Sequence, residues 1–356
     1  MQAVSWCNPV IPDDEEFLTV DPRADLPMQE EIRGLLAECG LDYEDGVEVF
    51  VVLRPGGRLA ACAGLQGNVV KCIAIAPDRR GGSLSLKLLN EIVHLALERG
   101  HSHLFLYTAP DNAAVFRSAG FYPLVEVPGY VALMENTPVG IRSYCARLKA
   151  ERREGATIGA IVMNANPFTL GHLSLVARAA RECDWLHVFV VAENASLISY
   201  HDRFRLVEQG IRGIDRVTLH AGSHYMISQA TFPAYFFKEK GMVGPCRTAV
   251  DLLLFRTYIA PALGITRRYV GTEPFCPTTR KYNEDMKDWL QRADVAGPAV
   301  TVVEIPRTAL LGSPISASEV RRLLAARDFD RIEALVPPAT LDLLFSKYRM
   351  VGPSAP

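Results

Sequence analysis

The chain has 356 residues, a formal net charge of −2, 49% hydrophobic and 22% charged residues. That length favours two domains over one core, and the near-neutral charge gives no electrostatic grip on nucleic acid or an anionic membrane surface. Eight scattered cysteines without a C-x-x-C pair predict free thiols in a reducing cytoplasm, not disulfides or a metal centre.

No apolar run approaches the roughly 18 residues of a membrane span. The N-terminal stretch MQAVSWCNPVIPDDEEF lacks the basic and apolar regions of a signal peptide. Residues 1–30 are proline- and acid-rich without a clear period. Met28–Cys39 has helical spacing and closes at Gly40; Val47–Leu53 and Leu59–Gln66 read as strands joined by the turn Arg54–Arg58. Asn68–Ile75 is a third strand, followed by a glycine–arginine turn, a helix over Ser83–Arg99 and a strand over His103–Tyr107. His101 and His103 would share a strand face, but no third metal ligand accompanies them. Asn112–Ser118 is a short helix, Tyr130–Met134 a last strand, and Ile141–Glu154 a basic helix leading to a boundary at Gly155.

From there strand and helix alternate, as in a doubly wound parallel sheet. Ile158–Met163 reads as a strand buried on both faces, and Asn164-Ala165-Asn166-Pro167 as a tight turn. From Gly171 apolar residues recur at helical spacing. Thr169–His172 therefore sits at a strand-to-helix junction, where free N–H groups and the positive dipole end attract phosphate. Gly171 allows close backbone approach, Thr169 can cap, and His172 can put an imidazolium on phosphate oxygens. The same residues also fit a plain capped helix. Strands follow at Trp185–Ala192, Arg216–His220, Arg268–Thr272 and Val300–Ile305. Helices are expected at Ser199–Gly213, Phe232–Lys240, Asp251–Leu263, Asn283–Arg292 and Ser316–Arg327. Asn164–His172, Glu193-Asn194, Gly271–Glu273 and Pro314–Ser318 fall at carboxyl ends of strands, where ligands collect. Ser316 and Glu319 fit a capping box.

Thr169–His172 resembles the T/H-x-G-H signature of the adenylyl-transferring nucleotidyltransferase superfamily. Ile315–Arg321 resembles its second signature, I-S-S-T-x-x-R, with Ala317 and Ser318 replacing one serine and the threonine. The first half resembles the coenzyme A-binding acetyltransferase fold. Its phosphate loop, read from Arg80, has Ser83 and Ser85 at both small positions, so coenzyme A itself is a poor expected ligand. With IVMNANPFT, ATFPAYFFKE, YIAPALG, VGTEPFC and PISAS, the chain resembles the citrate lyase ligases. That resemblance implies an acetyltransferase-like domain over 1–140 and a nucleotidyltransferase-type catalytic domain over 155–350. It implies ATP with Mg²⁺, acetate, and a carrier protein with a coenzyme A-like arm as partners, acetyl-adenylate as intermediate, and a cytoplasmic location. Catalysis would fall to His172, Thr169, Arg321 and Lys238. The nucleotide would lie against Asn164, Asn166, Phe168, Gly171, His172, Arg203, Gly271, Glu273, Ser316, Ser318 and Arg321. Lys238 and Arg203 fit equally as surface cations. The first half would then keep its groove as a docking cradle for the carrier protein. A nucleotidyltransferase of coenzyme A or dinucleotide biosynthesis and a non-catalytic carrier-binding adaptor remain the alternatives.

Overall fold

The computed structural model describes residues 16–80, 83–192, 197–226, 232–273, 277–310 and 313–348. The chain divides into two compact units, Met1–Gly140 with Thr231–Cys246, and Ile141–Ala230 with Arg247–Pro356. The helix expected to link the halves belongs to the second unit, and a segment from the middle of the second half belongs to the first.

The first unit contains β1 (Phe17–Val20), α1 (Leu26–Glu38), β2 (Val49–Leu53), β3 (Ala61–Gln66), β4 (Val69–Ile75), α2 (Leu84–Glu98), β5 (Phe105–Thr108), α3 (Ala113–Ser118), β6 (Tyr122–Val127) and β7 (Val131–Glu135). They form one seven-stranded sheet in the order β1-β2-β3-β4-β5-β7-β6. Every pairing is antiparallel except β4 with β5, which pair only at Val69–Phe105 and Val70–Leu106. Alternation along β2 explains its wholly apolar sequence. Val49, Val51 and Leu53 join the core under α2, while Phe50 and Val52 join the core under α1. Two strands go beyond the sequence expectation. β1 is a short edge strand with half its residues exposed, and β6 carries Pro123, which an edge tolerates because no ladder N–H is needed there.

The helix expected over Phe232–Lys240 is absent. Glu44 explains why: its carboxylate accepts the N–H groups of Ala234 and Tyr235, diverting donors that a helix would use internally. The Tyr235 carbonyl accepts from Asp42 N–H (2.8 Å). Its ring is buried with Phe50, Cys62, Cys72 and the α1 residues, and its hydroxyl bonds the Cys72 backbone at a bulge in β4. Phe232 meets Tyr107 of β5 edge-on at 5.1 Å between centroids. Lys238, expected on a helix near acetate, is exposed on this irregular segment of the first unit. Gly81 and Gly82 of the expected phosphate loop lie outside the described residues.

The second unit contains α4 (Gly140–Ala150), β8 (Ile158–Met163), α5 (Leu170–Glu182), β9 (Trp185–Val190), α6 (Tyr200–Ile211) and β10 (Val217–Ala221). The helical stretch α7 (Val243–Leu254, from Arg247 on in this unit), a π turn at Phe255–Ile259 and α8 (Ala260–Leu263) lead to β11 (Arg267–Gly271). Then come α9 (Pro277–Gln291), β12 (Thr301–Ile305), the short pair β13 (Ala309–Leu310) and β14 (Ser313–Pro314), α10 (Ala317–Ala325), α11 (Phe329–Glu333) and α12 (Pro338–Tyr348). The main sheet is fully parallel in the order β10-β9-β8-β11-β12. Strand order reverses at β8, which opens a crevice beyond the carboxyl ends of β8 and β11. Among the described residues no helix is long and apolar enough to cross a membrane. The described cysteines, Cys39, Cys62, Cys72, Cys145, Cys183 and Cys246, are free thiols.

One ion pair anchors the inserted segment. Lys71, with a side chain 3% exposed, reaches Glu44 at 2.9 Å and Gln66 at 2.7 Å. Glu44→Ala strips a buried ammonium of its counter-charge and leaves two amides without an acceptor. We expect a loss of about 3 kcal/mol, read as a lower denaturant midpoint at unchanged slope. An unaltered midpoint would show that this carboxylate does not hold the segment.

Candidate active site

β8 ends in the turn Asn164–Pro167, with Ala165 at φ +50° and a cis Asn166–Pro167 bond. Arg203 of α6, fully buried, shapes that turn. Its Nη1 donates to the Asn164 carbonyl (2.6 Å), Asn164 Oδ1 (2.7 Å) and the Val191 carbonyl (2.9 Å), and its Nε to the Ile198 carbonyl (3.2 Å). Such charge-assisted bonds fix backbone firmly. Asn166 is also nearly buried; its Oδ1 accepts from Ile198 N–H (3.1 Å) and its carbonyl from Arg321 Nη1 (2.6 Å).

Thr169 caps α5 in an extended conformation (φ −120°, ψ 168°), its hydroxyl accepting the His172 N–H at 3.4 Å. His172 reaches back: Nδ1 accepts the Thr169 N–H (3.1 Å) and lies 2.9 Å from Thr169 Oγ1. This is a capping box with imidazole in the place of the usual glutamate. A donor aimed at Nδ1 puts the proton of the neutral ring on Nε2. Phe168, fully buried, stacks on the ring at 5.7 Å and 17°. It fits because Gly210 has no Cβ, which would stand 2.3 Å from the phenyl edge. Burial, with the Arg307 charge adding to it, pushes the His172 imidazole down to about 4. At neutral pH His172 is thus an uncharged N–H donor, not the imidazolium the sequence suggested.

The start of α10 lies against the start of α5. A Cβ on Gly171 would stand 2.9 Å from the Ile315 carbonyl oxygen, so only glycine permits this approach. Ser316 caps α10 by accepting the Glu319 N–H (3.1 Å). The Glu319 carboxylate turns instead to Arg322 at 2.7 Å and Arg331 at 3.5 Å, so the reach-back half of the expected capping box is replaced by surface ion pairs. Arg321 also donates to Ser318 Oγ (3.0 Å). On the β11 side, Asn283 Nδ2 donates to the Gly271 carbonyl (3.0 Å), and Glu273 pairs with Arg307.

Asn164, Asn166, Thr169, Gly171, His172, Ser316, Ser318 and Arg321 therefore gather around two helix starts, with Gly271 and Glu273 on the β11 rim. Of the other expected residues Arg203 and Phe168 are fully buried, and the Thr169 hydroxyl is turned to His172; these three hold other groups in place. Sequence reasoning missed Arg307 and Asn283. Arg307 follows β12 by two residues, and the same strand-end rule that found Glu273 points to it. Glu193 and Asn194 lie outside the described residues.

A parallel α/β sheet with T-x-G-H at one helix start and I-S-A-S-x-x-R at the next, joined to an acetyltransferase-type sheet, defines the class. The profile of the citrate lyase ligase C-terminal domain matches residues 158–344, and that of the GNAT acetyltransferase family matches residues 13–121. The [citrate [pro-3S]-lyase] ligase of Klebsiella pneumoniae is 52% identical over 320 residues, covering 90% of this chain and 93% of its own. That of Escherichia coli K12 is 47% identical, covering 92% and 94%. The chain belongs to the citrate lyase ligase family. A crystal structure of Thermotoga maritima TmcAL bound with alpha-thio ATP aligns at TM-score 0.35 and 14% identity over 54% of this chain and 56% of that one.

His187 of β9 and His220 of β10 share the behaviour of His172. Their rings hydrogen-bond at 2.8 Å, both buried. Burial, then His220 and Arg153, hold His187 at about 3, and burial holds His220 at about 4. An unfolded histidine takes a proton near about 6.5, whereas these three stay neutral well below that. As pH falls from about 6.5 toward 4 the unfolded state gains protons that the native state refuses, so stability is lost across that window. Denaturant midpoints should drop between about pH 7 and about pH 5, before the carboxylates titrate. A flat profile over that range would mean that the rings protonate in the folded protein.

Proposed function

We propose that this chain is an ATP-dependent ligase that activates acetate as acetyl-adenylate. It then passes the acetyl group to the thiol of the coenzyme A-like arm on the citrate lyase acyl carrier protein. The observation that carries this reading is the meeting of two helix starts at Gly171 and Ile315, with the His172 Nε2–H donor and the Arg321 guanidinium beside it. Membership of the citrate lyase ligase family supports the choice of acetate and carrier protein.

In the first step an acetate oxygen bonds to the α-phosphorus while the bond to the β-phosphate oxygen breaks, and pyrophosphate leaves. Negative charge concentrates on the α- and leaving phosphates, so donors fixed beforehand dominate the barrier. His172 donates Nε2–H to a phosphate oxygen, from a ring that burial keeps neutral before the nucleotide binds. Arg321 neutralises the triphosphate, and the first-turn N–H groups of α5 and α10 add their dipole ends. In the second step the carrier thiol loses its proton, its sulfur bonds to the acetyl carbon, and AMP leaves. Magnesium would come with the nucleotide as the counter-ion of MgATP and would neutralise charge on its phosphates. Among the described residues no group of three His, Cys, Asp or Glu is placed to hold an ion.

Incubation with ATP and labelled acetate tests this directly. Acetate-dependent pyrophosphate release with acetyl-adenylate formation is expected; release without acetate favours a plain nucleotidyltransferase, and no turnover favours a binding adaptor. His172→Ala should slow adenylate formation by about 10²–10³-fold while leaving a folded protein. Arg321→Ala should weaken ATP binding, whereas Ser316→Ala should mainly cost about 1 kcal/mol of stability as a lost cap. Identical behaviour of the last two variants would remove the distinction between charge and cap.

A further inference from the structure

The segment leaving β12 carries a cation held at the β11 rim of the site. Arg307 N–H donates to Thr272 Oγ1 (3.3 Å), and the side-chain stem passes 3.6 Å from where a Cβ on Gly271 would stand. Thr308 Oγ1 donates to Ser174 Oγ in the early turns of α5 (2.6 Å), and its carbonyl accepts the Ile315 N–H (2.9 Å). Arg307's own N–H is thereby tied to the β11 end, and the next residue to the two helix starts. The Arg307 side chain is 25% exposed, while the Glu273 side chain it pairs with is 6% exposed. The cation is the more exposed member of the pair.

Two anions must meet in the proposed first step, a phosphate ester and a carboxylate. The helix starts, His172 and Arg321 serve the phosphates. A planar guanidinium matches a carboxylate with two parallel N–H donors, which an ammonium cannot reproduce. Glu273 is already a carboxylate seated on Arg307, and it shows the partner this group accepts. Resting on the acetate-activating reading above, we infer that Arg307 is a catalytic residue that binds the carboxylate of acetate, with Glu273 as the resident counter-ion that acetate displaces. When the carboxylate oxygen bonds to phosphorus, its negative charge passes to the phosphates. The mixed anhydride then holds Arg307 weakly, and the pair with Glu273 re-forms.

The test uses Arg307→Met, Arg307→Lys and Glu273→Gln in the full chain, with ATP binding by titration and acetate-dependent pyrophosphate release as readouts. Arg307→Met should raise the KM for acetate about tenfold or more, with the Kd for ATP within about twofold of wild type. Arg307→Lys should recover part of the loss. Glu273→Gln, which removes the competing charge, should lower the KM for acetate. Weaker ATP binding with an unchanged acetate KM in Arg307→Met overturns the assignment, as does an acetate KM that rises in Glu273→Gln. A wild-type protein that binds ATP but releases no pyrophosphate on adding acetate refutes acetate activation itself, a result distinct from failure at Arg307 alone.

Discussion

The missing side chain of Gly171 lets the first turn of α5 rest on the backbone of Ile315. Two positive dipole ends are thereby brought together, an arrangement that repels itself until an anion enters. The surrounding bonds resist that repulsion. Arg321 donates to the Asn166 carbonyl, Thr308 joins Ser174 to Ile315, and Leu170 N–H donates to the Leu335 carbonyl at 2.9 Å. The site exists before any ligand because these bonds hold the helix starts in place, and such preorganisation is what electrostatic catalysis requires.

The chemical state of His172 follows from the same local packing. Phe168 behind the ring and the Thr169 N–H at Nδ1 leave only Nε2 outward, and burial keeps the ring uncharged. Three residues expected at the nucleotide make their contacts with the protein itself. Arg203 shapes the turn that presents the Asn166 carbonyl to Arg321, and Phe168 and Thr169 orient His172. Their types suit these duties: a fork of donors for several carbonyls, a flat ring for stacking, a short hydroxyl for a cap.

Local pattern made much of this readable in sequence. The apolar run of β8, the turn amides and the helical spacing of α5 all act over short range, so strand, turn and helix start were legible from Ile158 to Glu182. What was not legible depended on contacts distant in sequence. Phe232–Lys240 has helical composition, but its fate is decided by Glu44, roughly 190 residues earlier. Arg307 looks like any strand-end cation until Thr272, Glu273 and Thr308 fix it. The lowered basicity of His172 was hidden for the same reason, since burial is a property of the fold and not of the motif.

The first unit shows a sheet whose irregular strand is completed by a segment distant in sequence. Its sheet has a single parallel pair, β4 with β5, joined at only two residue pairs, and β4 bulges at Cys72, which sits at φ +51°. A bulge leaves backbone groups unpaired within the ladder. Here the Tyr235 hydroxyl bonds the Cys72 backbone, Glu44 takes the amides of Ala234 and Tyr235, and Phe232 covers Tyr107. The irregular point of the sheet and the segment's own amides are thereby satisfied together. Ser83 and Ser85 stand where an acetyltransferase phosphate loop calls for small residues without a hydroxyl. The cores under α1 and α2 take alternate residues of β2, so the sheet keeps its packing while its surface takes up a segment of the same chain.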